Sequence, residues 1–141
     1  MPGAFILEPM KRLNAMQIAA IAYVAADAVH VLDHQRQGRA LSFEVYSVGL
    51  LGIVASLLVL FLALRRHPVA PLAAAAFGSA ATVGVILIHL TPPWGAFSDS
   101  YVPLRLDTWS WVSADFLMAA AAALAVTGIL SLRRTTGPQP G

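Results

Sequence analysis

Cysteine is absent from the chain, and with it go disulfide staples, thiolate metal sites, CxxC redox chemistry and cysteine nucleophiles. Charge is nearly as scarce. Asp, Glu, Lys and Arg make up only 11% of the residues, against about a quarter in an ordinary soluble domain. No stretch alternates polar and apolar residues with strand period over a useful length. Lysine occurs once, at Lys11, beside eight arginines. These cations sit at the ends of apolar segments rather than in a patch, so they carry a topology signal and no nucleic-acid footprint.

What fills the space is hydrocarbon: 58% of the 141 residues are apolar and the mean hydropathy is +0.72. That composition describes an integral membrane protein of one small domain. Four runs are long enough to cross a hydrocarbon layer of about 30 Å, which needs about 20 helical residues. They cover residues 14–34, 43–64, 71–90 and 111–132. Pro71 suits the first turn of the third helix, and Pro92 with Pro93 stops that helix just beyond His89. The expected fold is all-α, a four-transmembrane-helix bundle over residues 1–134. The N-terminal "MPGAFILEPMKRLNAMQ" has no signal-peptide cleavage pattern, so the first run is expected to stay as a helix. The polar tail 135–141 is expected to be disordered.

Orientation follows from the cations. Lys11, Arg12, Arg65, Arg66, Arg133 and Arg134 flank one side, and Arg36, Arg39 and Arg105 the other. The positive-inside rule then places both termini in the cytoplasm. The Ala-rich, Arg-over-Lys usage suggests a bacterial chain and hence the cell inner membrane.

With that topology, "YVAADAVHVLDHQRQGR" (23–39) becomes informative. Asp27, His30, Asp33 and His34 fall near the outer end of the first helix, and with Tyr23 they share about 120° of the helical wheel. Ionisable groups in a membrane helix usually face the bundle interior or a watery cavity. His30 and His34 stand at i and i+4, the spacing by which helical histidine pairs grip a metal. His89 can supply a third nitrogen from helix three and Asp115 an oxygen from helix four. Asp27 can hold an imidazole N–H or move protons. The candidate metal ligands are therefore His30, His34, His89 and Asp115, and the candidate catalytic carboxylates are Asp27 and Asp115. Zinc, copper and iron all suit such donors. Proton handling and structural polar packing are the alternatives for the cluster as a whole. Glu44 reads as a first-turn residue favoured by the helix dipole, and His67 as an interfacial cation.

The segment 91–110 is longer than a bundle connection needs. It holds Trp94, Phe97, Tyr101 and Trp109, with Trp111 just beyond. These residues fit an aromatic belt or a lid over the site. "SDS" at 98–100 reads as a turn, and without a GxSxG frame it carries no serine hydrolase chemistry. The Ala- and Gly-rich helices three and four are expected to pack backbone to backbone, which counts against a wide channel.

Three functions follow. One is a metal-dependent membrane enzyme, a hydrolase or oxidoreductase, acting on a lipid or small hydrophobic substrate. Another is a haem b electron carrier with His30 or His34 and His89 as axial ligands. The last is a non-enzymatic metal-handling or accessory subunit. A homo-oligomer or a partner membrane protein is compatible with the small size, and nucleic acid is not an expected partner.

Overall fold

The computed structural model describes residues 12–136. They form four helices in chain order: α1 (Ala15–Gln37), α2 (Phe43–Leu64), α3 (Ala70–Val85, continued by a π-helical turn Ile86–Leu90) and α4 (Thr108–Thr136). There is no strand among the described residues. All four helices are long and apolar enough to cross a membrane, the architecture of a multi-pass membrane protein.

Local chemistry sets the boundaries. Asn14 caps α1 by accepting from the Gln17 amide, and the Gln17 side chain accepts from the Asn14 amide in return. Gly38 closes the helix in the left-handed conformation at φ 63°. Ser42 caps α2 through the Val45 amide, and Glu44 lies in that first turn as expected. Pro71 occupies the first turn of α3. Asp107 caps α4 by accepting from the Ser110 amide at 3.0 Å. Two helices exceed their expected lengths. α1 continues to Gln37, and α4 runs from Thr108 to Thr136, so the segment expected as a tail from residue 135 begins inside a helix. Residues 137–141 lie outside the described ones, as does Lys11 of the expected cytoplasmic set.

α4 lies between α1 and α3, and α2 closes the ring from the other side with fewer contacts. The α3–α4 seam is backbone on backbone. A Cβ added at Gly78 would meet the Ala125 nitrogen at 2.5 Å, and one at Gly128 the Ala75 nitrogen at 2.5 Å. Only glycine fits there. The buried interior is mostly alanine, including Ala20, Ala26, Ala63, Ala74 and Ala121, with Met16, Tyr23, Leu117 and Leu124 as its larger members. α2 buries the smallest share of its length and leaves Leu50, Leu51, Val54 and Leu58 exposed.

The C-terminus of α1, the N-terminus of α2, the π turn of α3 and the start of α4 meet at one end of the bundle. Arg12, Arg65 and Arg66 lie at the opposite end, where Arg66 bonds to the Arg12 carbonyl.

Candidate metal centre

His30 and His34 project from one face of α1, as their i, i+4 spacing requires. Their Nε2 atoms are 3.1 Å apart. His89 arrives from α3, carried by the π turn, and its Nε2 lies 3.3 Å from the Nε2 of His30. π turns inside membrane-length helices often mark functional positions. One nitrogen of each ring therefore converges on a shared point, all within 4.8 Å of one another. With metal–nitrogen bonds of about 2.0–2.1 Å, neighbouring ligands lie about 2.9 Å apart in an octahedron and about 3.4 Å apart in a tetrahedron. The two spacings from His30, to His34 and to His89, fall in that range.

The opposite ring nitrogens decide the tautomers. His30 Nδ1 is 3.3 Å from the hydroxyl oxygen of Ser113, whose own proton is donated to the Ser110 carbonyl at 2.9 Å. His89 Nδ1 is 3.2 Å from the backbone carbonyl of Asp99. His34 Nδ1 faces the Asp99 carboxylate, with Oδ2 at 3.7 Å. Acceptors within hydrogen-bond distance of His30 and His89 Nδ1, and the carboxylate charge facing His34 Nδ1, favour Nδ1–H, which turns three Nε2 lone pairs toward one another. Three acceptors without a donor between them repel, and a cation at their centre reverses the sign of that interaction. Histidines that bind metals are commonly held by an acceptor on the second nitrogen, as His30 and His89 are here.

The outer partners are themselves anchored. Asp99, 8% exposed, pairs through Oδ1 with Arg39, and its Oδ2 is buried without a hydrogen bond. Asp33, 1% exposed, accepts from Arg36 and Gln37 and lies 3.4 Å from the Ser113 hydroxyl. Arg36 continues to Asp107 at 2.7 Å. The bonds from Arg36, then from the Ser110 amide, hold the Asp107 carboxyl down at about 2. Tyr101 lies over the cluster with its ring 4.7 Å from that of His89. Burial keeps its hydroxyl protonated far above the usual tyrosine range.

The placement of Asp99 and Tyr101 has a simple backbone cause. In a continuing α-helix the amides of residues 92 and 93 would bond to the carbonyls of Ile88 and His89. Both residues are proline and have no N–H. The freed carbonyls instead accept from the amides of Asp99, at 3.0 Å, and Tyr101, at 2.9 Å. The two prolines thus fold the connecting loop back onto the end of α3 and set both side chains against the histidines.

The structure brings His30, His34 and His89 together and leaves the two catalytic candidates apart from them. Asp115 is exposed on α4 and lies outside the group. The α4 residue that does reach it is Ser113, about 200° around the helix from Asp115; depth matched, direction did not. Asp27 is half-buried on the wall of an adjoining cavity, with no hydrogen bond or ion pair to the described residues. Asp33 faces α4 rather than the converging nitrogens. His67 is exposed at the far end, accepting from the Val69 amide. The aromatic residues of the loop do not gather into a lid: Trp94, Phe97 and Trp109 are each about half exposed, and Tyr101 alone rests on the histidines.

The cavity, of roughly 610 Å³, starts at His30, His34 and His89 and runs between α1, α2 and α3. Its walls are almost wholly apolar. Searches of protein-family models, curated proteins and solved structures found no match to this chain.

Proposed function

We propose that this protein is a membrane-embedded metalloprotein in which His30, His34 and His89 hold one transition-metal ion, and that it is an enzyme acting on a lipid or small hydrophobic molecule. The observation that carries the reading is the convergence of the three imidazoles, with His30 and His89 backed by acceptors at Nδ1 and His34 facing the Asp99 carboxylate. Three imidazoles leave coordination positions open, as catalytic sites require and closed structural sites do not. The open side adjoins an apolar cavity, which suits a substrate drawn from the bilayer. An ion there would polarise a substrate oxygen or activate water or oxygen, for hydrolytic or oxidative chemistry. Asp27, one helical turn from His30, is the group on hand to accept or return a proton.

Zinc, iron and copper all accept such a donor set. A haem between His30 and His89 would need their Nε2 atoms about 4 Å apart across a porphyrin plane. Their 3.3 Å separation, with His34 alongside, favours a bare ion. The greater number of arginines at the far end supports an orientation with both termini in the cytoplasm and the site toward the outer face of a plasma membrane.

Elemental analysis and an absorption spectrum of the detergent-purified protein test the reading. Near-stoichiometric metal with no Soret band is expected, with loss of the metal in His30→Ala and in His89→Ala. A Soret band, or full metal occupancy in both variants, would overturn it.

A further inference from the structure

Glycine serves two opposite ends in this bundle. At Gly78 and Gly128 it lets α3 and α4 touch, whereas Gly49 and Gly52 of α2 and Gly84 of α3 have nothing within 4 Å of where a Cβ would stand. All three of these line the cavity. With no side chain to fill it, the space beside these three glycines belongs to the cavity. On the same wall Leu50 and Leu51 are more than half exposed, so the cavity communicates with the outer surface of α2, which in a membrane is lipid. A chamber of roughly 610 Å³ is within the usual range for small-ligand sites, about 300–1,000 Å³.

Alongside the histidines and Gln35, one wall residue carries a carboxylate. The Asp27 carboxylate borders the chamber one turn, about 4.5 Å of helix rise, before His30, and it has no hydrogen-bonding partner among the described residues. An unpartnered carboxylate at membrane depth is costly, and a ligand that donates to it removes the cost.

We infer that the chamber is a lateral binding site for a single-chain amphiphile bearing a hydroxyl or amino group. The chain lies along the Gly49–Gly52 face of α2, and the head donates a hydrogen bond to Asp27. That bond places the rest of the head at the open side of the three Nε2 atoms. The inference deepens the enzymatic reading and rests on it for the role of the head; the chamber and Asp27 stand independently of any ion.

The test is photolabelling of the full-length protein in lipid nanodiscs with three diazirine-bearing probes of equal chain length: a long-chain alcohol, the corresponding amine and a methyl-terminated alkane. Crosslinks are mapped by mass spectrometry, and metal content is measured on every sample. The alcohol and amine are expected to label the cavity-facing residues of α2 and α3 about tenfold more than the alkane, the worth of one charge-assisted hydrogen bond. In Asp27→Leu that preference should vanish while alkane labelling remains. In Gly49→Leu/Gly52→Leu, where the added side chains meet open space, chamber labelling by all three probes should be lost with metal content unchanged. Equal labelling by the three probes, or labelling that persists in the glycine double variant, would overturn the inference. Metal-free protein with the expected labelling pattern would remove the metal reading and leave the binding site standing.

Discussion

His30 and His34 bring their Nε2 atoms to 3.1 Å of one another, and with each ring's proton on Nδ1, as their outer partners favour, no proton lies between them. That relationship, extended to His89, is why an ion belongs there. It also makes the outer partners part of the site. Ser113 holds His30, and Asp99 faces both His34 and His89.

Removing the Ser113 hydroxyl should therefore weaken metal binding without abolishing it. Ser113→Ala is expected to lower affinity by about tenfold to a hundredfold, the usual cost of losing such a partner. His30→Ala should reduce binding below detection. Chelator competition measures both, and a Ser113→Ala protein with unchanged affinity would show that the hydroxyl plays no part in holding His30.

Asp99→Asn keeps the backbone carbonyl that receives His89 Nδ1 but removes the charge opposite Arg39 and beside His34. A loss of about tenfold or more in metal affinity is expected, together with increased protease sensitivity of the 91–107 loop, whose tie to Arg39 is weakened. Intact affinity would confine Asp99 to loop anchoring.

The α3–α4 seam should tolerate no enlargement. Gly128→Ala drives a methyl against the Ala75 nitrogen and the Pro71 carbonyl, both backbone atoms that cannot turn aside. Overpacking of this kind costs about 1–3 kcal/mol or more, so a clear drop in thermal midpoint is expected in detergent. Gly49→Ala, which meets open space, should leave the midpoint nearly unchanged. Equal effects of the two substitutions would contradict the packing described.

The Asp107 cap sets a pH dependence whose sign is fixed. Its carboxyl is held down at about 2 by Arg36 and the Ser110 amide, below the ordinary value of about 3.9. A depressed folded-state value gives stability that is complete above about pH 4 and is lost as the pH falls toward about 2. The stability difference between the native chain and Asp107→Asn should thus be constant from pH 5 to 8 and shrink only in strong acid. A difference that changes near neutrality would point to another group.

Much of this arrangement is legible in the sequence, for identifiable reasons. Four apolar runs define four helices because length and hydropathy alone decide them. His30 and His34 disclose a shared face because 3.6-residue periodicity fixes their direction. Asp115 shows where that reasoning ends: its depth along α4 follows from the helix start, but which face meets α1 is set by packing, and that face carries Ser110 and Ser113. Asp99 was readable only in part. The consecutive prolines after His89 announce two unclaimed carbonyls, yet that amides eleven and twelve residues downstream return to them is a property of the folded loop. The π turn that aims His89 leaves no mark in the sequence that we can identify.

X-ray absorption at the metal edge of the purified, metal-bearing protein tests the central claim most directly, because imidazole rings give a distinct outer-shell scattering pattern. The account predicts three histidine ligands at about 2.0–2.1 Å, with the histidine signal reduced or the metal lost in His34→Ala. A coordination shell of oxygen alone, or one whose histidine count is unchanged in that variant, would contradict it.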